Sequence, residues 1–293
     1  MVKSNLTVNC EYFTLRFVCG IVNAIPYRVA TSLAWLLARI AFAAGLKRKR
    51  TLERIRGAYP GISDREAVRI AVSSLANILK IGVELIRVPK LTREWMDEYV
   101  IDGIPCRDML QKAVDRGKGV VIMVPHTGNW LMAAWAMAKY GLPIFAIGAH
   151  HRNPKINNWL FGQYGDLEVL DRSSRDTLGK IRDYLRQGRT FAIMPDLRVP
   201  KRDVEVDFLG GKANVSRAGA MFAVRVGCPI VVAAMSREGG KHVFHYLATL
   251  ETEGRTAEDL TKEAMKLLAD FVAKHPGDWY WFNKRWILQP PTK

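Results

Sequence analysis

The sequence feature that most restricts the fold is an alternation of two apolar patterns, which begins near Tyr99. Short apolar runs of strand length are separated by longer stretches in which apolar residues recur every three or four positions. This alternation is typical of a sheet whose strands are connected by helices, so we predict an α/β fold with a mixed central sheet flanked by helices. The predicted strands are 119–124, 143–147, 167–170, 190–194 and 229–235, and the predicted helices are 130–139, 175–187, 216–226 and 257–274.

Residues 1–97 have a different pattern, which predicts a helical region before an α/β domain at 98–293. Ser63 followed by Glu66 has the pattern of a helix cap, and the helix that it starts is expected to end near Pro89. The apolar stretch 13–44 is interrupted by proline and arginine, and no window of about 18 residues is free of both. Two amphipathic helices that meet at Pro26 therefore fit this stretch better than a single membrane span.

The charge of the chain is concentrated near its amino terminus. Lys and Arg outnumber Asp and Glu by 44 to 28, and residues 1–93 hold 16 of the basic but only 5 of the acidic residues. The basic run 47–50 directly follows the apolar stretch, a combination typical of helices that lie in a membrane interface on its cytoplasmic face. The alternative is a buried helix pair with a solvated charge run. No basic stripe interleaved with aromatic residues is present, so we expect no nucleic-acid partner.

The cysteines and histidines narrow the chemistry further. The four cysteines lack C-x-x-C spacing, which favours a reduced cytoplasmic compartment, and the amino terminus lacks the pattern of a cleavable signal peptide. The adjacent pair His150 and His151 has no cysteine or spaced acidic residue to complete a metal site. We therefore expect no metal ion and no organic cofactor.

His126 is the best candidate for a catalytic residue. It follows a predicted strand and precedes a predicted helix, at the sheet edge where α/β folds bind ligands. Gly128 permits close approach of the backbone, Asn129 is a good helix cap, and the helix start offers N–H groups to an anion. A histidine at this point is suited to take a proton from a hydroxyl group, although a lone histidine is more often structural.

The segment His126–Trp130, HTGNW, resembles the H-x-G-N-W motif of the late acyltransferases of lipid A biosynthesis. Those bacterial inner-membrane enzymes move a fatty acyl chain from acyl carrier protein to a lipid A precursor. The resemblance covers nearly the whole chain and implies a glycerolipid acyltransferase-like fold. Further similar segments, in the family's order, are Leu52–Arg56 with Tyr59-Pro60, His151–Pro154, Asp171-Arg172, Met194–Asp196, Val206–Gly210 and Trp279–Trp286.

The resemblance implies a histidine general base oriented by a carboxylate five residues later, in the pattern H-x-x-x-x-[DE]. In this chain that position is Leu131. Asp196 is the best candidate for a substitute carboxylate because it too follows a predicted strand. Two further departures are Leu197 where the family has glutamine and Asn283 where it usually has histidine. Removal of the acid of such a dyad costs up to about 10⁴-fold in turnover.

The resemblance also implies partners and a location. The donor would be acyl carrier protein, and the acceptor a lipid A precursor or a related glycolipid in the inner membrane of a Gram-negative-type bacterium, at its cytoplasmic face. Arg152, Arg172, Lys284 and Arg285 are the candidates for contacts with lipid phosphate, together with Gly128 and Asn129 at the substrate. Because of Leu131, a second reading stays open: a lipid-binding relative of the same fold without catalysis.

Overall fold

The structure, a computed structural model, describes residues 4–103, 106–165 and 167–289. The first part of the chain is helical, as predicted, and the first two helices are separated at Pro26. The side chain of Ser63 caps the fourth helix by accepting a hydrogen bond from the Glu66 N–H at 3.2 Å. The helices before the first strand are α1 (Asn5–Ala24), α2 (Tyr27–Ala43), α3 (Arg48–Ala58), α4 (Asp64–Arg87) and α5 (Arg93–Tyr99), with a 3₁₀ helix at Val88–Lys90.

A seven-stranded mixed sheet forms the centre of the remaining chain, which confirms the predicted fold class. Its strands are β1 (Val100–Gly103), β2 (Val120–Met123), β3 (Ile144–Gly148), β4 (Glu168–Asp171), β5 (Thr190–Ile193), β8 (Ile230–Glu238) and β9 (Lys241–Leu250). They are ordered β1-β9-β8-β2-β5-β3-β4, and the only antiparallel pair among these described strands is β8 with β9. A separate hairpin joins β6 (Val204–Phe208) to β7 (Gly211–Val215).

Six further helices flank the sheet within the described residues. They are α6 (Cys106–Val114), α7 (Trp130–Lys139), α8 (Pro154–Gly162), α9 (Thr177–Arg186), α10 (Ala218–Val226) and α11 (Ala257–Lys274). The predicted strands and helices all occur, with ends shifted by at most three residues. The predicted elements did not include β1, which has four residues, the helices α6 and α8, or the β6–β7 hairpin, although the alternation of apolar and charged residues in VEVDF is a strand pattern.

The order of the strands decides where a site can form. The four strands β2, β5, β3 and β4 are adjacent and parallel, so their carboxyl ends meet at one edge of the sheet. Side chains of alternate residues point to opposite faces, and β2 accordingly contributes to two buried clusters. Val121 and Met123 pack with α2–α4, α10 and α11, whereas Val120 and Ile122 pack with α5–α7. The domain boundary at residue 97 stays a prediction.

The helices α1 and α2 carry most of the exposed apolar surface. Twelve of the thirteen large apolar residues that are exposed in the described chain lie in these two helices or in the turn after α2. Taken singly, none of the described helices is both long and apolar enough to cross a bilayer, although α2 and α3 together, with a 97° bend between them, meet that requirement. The exposed twelve are Leu6, Phe13, Phe17, Val18, Ile21, Val29, Leu33, Trp35, Leu36, Leu37, Ile40 and Leu46.

Candidate active site

His126 lies in the loop between β2 and α7, at the carboxyl edge of the sheet. Its side chain is 11% exposed, so the ring is neither sealed in the core nor free in solvent. Its backbone carbonyl accepts a hydrogen bond from the Tyr280 N–H at 3.1 Å, and its ring contacts Trp130 edge to face at a centroid distance of 4.9 Å. These contacts fix the position of the imidazole at the carboxyl edge of the sheet.

Asp196 is the acidic partner of His126. It follows β5, the neighbour of β2, and its Oδ1 lies 2.6 Å from His126 Nδ1. Its Oδ2 accepts hydrogen bonds from the His126 backbone N–H and from Trp279 Nε1, each at 2.8 Å. The carboxylate is 2% exposed. Both oxygens are therefore engaged, and the imidazole presents Nε2 on the side away from the acid.

The charge state of Asp196 follows from these contacts. Burial by itself raises the pKa of the carboxyl, but the charge of His126 and the hydrogen bonds from His126 and Trp279 outweigh it. The net effect lowers the pKa of Asp196 below its ordinary value. The group is thus held as a carboxylate, which favours the tautomer of His126 that carries its proton on Nδ1.

Leu131 occupies the position where the resemblance implies an acid, and its side chain serves a different purpose. It lines an apolar pocket whose walls come from α7, the end of β3 and the end of β5. Two lining residues, Val124 and Met194, each lie two positions before a member of the His126–Asp196 pair. The remaining lining residues are Trp130, Ala134, Ala146, Ile147, Gly148, Tyr164, Leu167, Val169, Ala192 and Ile193.

Asn129 and Gly128 support the loop that carries His126, and their contact with substrate stays a prediction. Asn129 is fully buried; its Oδ1 accepts from the N–H groups of Leu131 and Met132, and its Nδ2 donates to Glu84. Gly128 has φ +54°, and a Cβ there would lie 2.6 Å from the Met235 carbonyl oxygen. Only glycine fits this close approach without strain.

The start of α7 offers fewer free donors than expected. The N–H groups of Leu131 and Met132, in the first turn of α7, donate to Asn129 Oδ1. The Gly128 N–H donates to the Asp278 carbonyl at 3.1 Å. The prediction that these amides face an anion is therefore wrong for Gly128, Leu131 and Met132. The cap satisfies the helix internally, as an asparagine N-cap commonly does.

Arg152 and Arg172 are exposed in the loops that follow β3 and β4, at the same sheet edge as the pair. His150 Nε2 lies 3.0 Å from Asp171 Oδ2, which brings these two loops together. Lys284 and Arg285 are exposed farther along the chain, and Lys284 lines a separate groove with Arg50 and Arg54. Contact of any of these four with substrate stays a prediction.

Two residues of the site, Trp279 and Glu84, were not predicted from the sequence. Trp279 was named only within the similar segment Trp279–Trp286, with no role of its own, although its indole N–H donates to Asp196. Glu84 was not singled out, although it lies on the buried face of α4 at helical spacing from Ser74, Asn77 and Ile81. A carboxylate on a buried helix face needs partners, and that misfit is the signal that would have found it.

The described residues contain no group of three or more His, Cys, Asp or Glu side chains arranged to hold a metal ion. Two other histidines lie on β9. His242 is fully buried beside Glu84, and His245 lies 2.7 Å from Ser236 Oγ and packs on His275.

Comparisons with known proteins give one matching family and several relatives. The model of the bacterial lipid A biosynthesis acyltransferase family matches residues 3–287. The chain is 26% identical over 275 residues to the phosphatidylinositol mannoside acyltransferase of Mycolicibacterium smegmatis, which covers 91% of this chain and 88% of that protein. It is also 26% identical over 210 residues to the phosphatidylinositol mannoside acyltransferase of Mycobacterium tuberculosis, covering 70% of this chain and 66% of that protein.

Proposed function

The chain belongs to the family of bacterial lipid A biosynthesis acyltransferases, and from that premise we propose that it transfers a fatty acyl chain from a thioester to a hydroxyl group of a membrane glycolipid. The observation that carries the proposal is the distance of 2.6 Å between His126 Nδ1 and Asp196 Oδ1, which leaves Nε2 for the acceptor. A base held in this way needs no carboxylate at Leu131. The reading without catalysis, which rested on that missing acid, loses its support.

The reaction follows from the oriented imidazole. His126 Nε2 takes the proton of the acceptor hydroxyl as its oxygen attacks the thioester carbonyl carbon. The tetrahedral intermediate collapses with cleavage of the carbon–sulfur bond, and the imidazolium returns the proton to the leaving thiolate. Asp196 remains a carboxylate throughout and stabilises the positive charge on the ring. The products are a glycolipid ester and a free thiol.

The proposed place of the acyl chain is the pocket lined by Leu131. The pocket lined by Leu131 is apolar, and its walls begin at the strand ends next to His126 and Asp196. Burial of an alkyl chain contributes about 0.8 kcal/mol for each methylene group. An acidic side chain at position 131 would oppose that burial, which gives a physical reason for leucine there.

The proposed acceptor is a glycolipid of the phosphatidylinositol mannoside type, because the relatives in the two mycobacterial species carry that name. A lipid A precursor is the second candidate, because the description of the matching family names it. Both lipids offer sugar hydroxyl groups and phosphate. Arg152 and Arg172, exposed at the same sheet edge as His126, suit that phosphate because guanidinium pairs well with its oxygens.

The proposed location is the cytoplasmic face of the plasma membrane. Helix α1 presents Phe13 and Phe17 to solvent, and α2 presents Leu37 and Ile40. The basic run that begins at Lys47 follows directly and suits an anionic lipid surface. Helix α1 also lies beside the site, since Asn153, in the loop after β3, donates to the Val8 carbonyl of α1 at 2.9 Å.

The proposed donor is an acyl carrier protein. Such carriers are acidic, and this chain has a net charge of +16, which favours their association through long-range attraction. Acyl-coenzyme A is the alternative thioester. The carrier reading predicts a steep loss of donor affinity with added salt, because screening weakens attraction between extended charged surfaces.

The test is an assay with purified protein, vesicles that contain one acceptor lipid, and either acyl carrier protein or coenzyme A thioesters, read by mass spectrometry. We expect a single added acyl chain on the acceptor, abolished by His126→Ala and retained by the matched control His275→Gln. Absence of product with every donor and acceptor, or full activity of His126→Ala, would overturn the proposal.

A further inference from the structure

A second buried carboxylate, Glu84 of α4, lies behind the loop that carries His126. It is fully buried, and Arg237 of β8 holds it with both terminal guanidinium nitrogens, at 2.7 Å and 2.6 Å. Tyr27 of α2 donates its hydroxyl to the same carboxylate at 2.8 Å. Burial alone raises the pKa of Glu84, but the charges of Arg237 and His242 outweigh it and the net pKa is lowered.

A buried ion pair is weak evidence for stability, because desolvation offsets most of the attraction between the charges. Its better supported use is to fix one arrangement of the chain among several. The arrangement that Glu84 fixes is indicated by the remaining contact of its carboxylate, with Asn129.

Asn129 Nδ2 donates to Glu84 Oε2 at 2.6 Å. Asn129 follows His126 by three residues and caps α7, so its position sets the end of the loop. Its Oδ1 is committed to the cap and its Nδ2 to Glu84, which leaves the side chain without rotational freedom. The carboxylate thus holds the end of the loop that carries His126.

Arg237 also connects Glu84 to Gly128, the residue before Asn129, through Asn77. Its Nε donates to Asn77 Oδ1 at 2.5 Å, and Asn77 Nδ2 donates in turn to the carbonyl oxygens of Gly128 and Asp278, at 2.8 Å and 2.9 Å. The backbone N–H of Arg237 donates to Asp278 Oδ2 at 3.1 Å. Residues 128 and 129 are therefore tied to α4 and β8 through one connected set of hydrogen bonds.

We propose that Glu84 is a positioning residue, which holds the loop of His126 through Asn129 in the place where the imidazole meets both Asp196 and the acceptor hydroxyl. The inference rests on the proposed function of His126. Glu84 touches neither the ring nor the substrate pocket, and it acts only through the loop. A displacement of about 1 Å at a reacting group can cost on the order of 10²-fold in rate.

The test exchanges donor and acceptor in the hydrogen bond between Asn129 and Glu84. Glu84→Gln leaves a single oxygen to accept from Asn129 Nδ2, Tyr27 and Arg237, and Asn129→Asp sets a second carboxylate against Glu84. In the double variant the Gln amide donates to the Asp carboxylate, which also remains a good helix cap. The double variant keeps one negative charge, which moves from position 84 to position 129.

We expect each single variant to lower kcat by about 10- to 100-fold with little change in the KM for the donor, and the double variant to regain most of the loss. Tyr27→Phe is the matched control. It removes a hydrogen bond to the same carboxylate from the side away from the loop, so it lowers the thermal midpoint but leaves kcat within about twofold. Parallel losses in all four proteins, or no recovery in the double variant, would overturn the proposal.

A second measurement does not depend on activity. The short contact between His126 and Asp196 places the Nδ1 proton far downfield in the proton NMR spectrum, and His126→Ala assigns the signal. We expect this signal to shift or vanish in each single variant and to return in the double variant. An unchanged signal in Glu84→Gln would defeat the role of Glu84 alone, whereas a native signal without any acyl transfer would defeat the proposed function.

Discussion

His126 and Asp196 are 70 residues apart in sequence, yet Nδ1 of one lies 2.6 Å from Oδ1 of the other. The reason is the register of the sheet. Met123 of β2 pairs with Ile193 of β5, and each member of the His126–Asp196 pair lies three residues beyond one of these partners. Two parallel neighbours thus deliver a base and an acid to the same edge. The acid comes from the next strand and not from the helix that follows the base.

The first prediction concerns this pair. We expect Asp196→Asn to lower kcat by about 10²- to 10⁴-fold, because the amide presents a donor to Nδ1 and favours the wrong tautomer of His126. The steady-state rate of acyl transfer measures the effect. Asp183→Asn, at an exposed carboxylate of α9, is the control. Activity of Asp196→Asn within tenfold of the native enzyme would show that the carboxylate does not orient the base.

The second prediction concerns Leu131. We expect Leu131→Glu to lower kcat/KM for long-chain thioesters, because the substitution puts a charge into an apolar wall while Asp196 already holds His126 Nδ1. Leu131→Met, which conserves volume and polarity, should change kcat/KM by less than about threefold. A rise in activity with Leu131→Glu would mean that the native dyad is incomplete, contrary to the assignment of Asp196.

Much of this site follows from the sequence because it rests on local patterns. The strand before His126, the cap at Asn129 and the strand before Asp196 are each visible in a few residues. The pairing of His126 with Asp196 depends on which strands are neighbours, and β2 and β5 are separated in sequence by β3 and β4. Periodicity fixes neither the strand order nor the register. The sequence therefore made Asp196 a candidate, and the structure places it in contact with His126.

The parts that the sequence did not predict depend on contacts across the fold. Trp279 reaches Asp196 from 83 residues away, and Glu84 reaches Asn129 from 45 residues away. No short pattern marks either contact. Gly128 illustrates the intermediate case: the residue type indicated a close approach, but the neighbour it approaches, Met235 of β8, is known only from the fold.

The third prediction concerns the length of the acyl chain. Ala134 of α7 is 8% exposed and lines the pocket, so Ala134→Phe fills space that the proposed chain would occupy. We expect the ratio of kcat/KM between long and short acyl thioesters to fall by about tenfold or more, since each excluded methylene group is worth about 0.8 kcal/mol. Ala134→Ser, of similar size, is the control. An unchanged chain-length profile with Ala134→Phe would place the chain elsewhere.

The fourth prediction concerns the proposed membrane contact of α1. Phe17 is 69% exposed, and Leu178 on α9 is 66% exposed but lies outside the apolar helix pair. We expect Phe17→Gln to weaken binding to anionic vesicles in a flotation assay by several-fold, with little change in the thermal midpoint. Leu178→Gln removes a comparable exposed side chain and should leave vesicle binding unchanged. Equal effects of the two substitutions would argue against a specific role for α1.

The fifth prediction concerns stability in mild acid. Burial, the largest influence, lowers the pKa of His242, and the opposing charge of Glu84 does not offset it. A folded pKa below the unfolded value of about 6.5 means that the unfolded chain binds the proton more readily. The free energy of unfolding should therefore fall as the pH drops from about 6.5 towards the folded pKa, by up to about 1.4 kcal/mol per pH unit from this group.

Glu84 affects the free energy of unfolding at lower pH than His242 does. Its folded pKa is lowered, so its stabilising contribution is present above the unfolded value of about 4.3 and is lost as the pH falls through the folded pKa. Urea unfolding between pH 7 and pH 5 in a His245→Gln background therefore separates His242 from Glu84 and from His245, the other histidine whose pKa is lowered by burial. His242→Gln should flatten the slope in that interval, whereas His151→Gln, at an exposed histidine, should leave it intact. A slope that survives His242→Gln would assign the acid sensitivity to another group, and the buried imidazole would then be protonated in the folded enzyme.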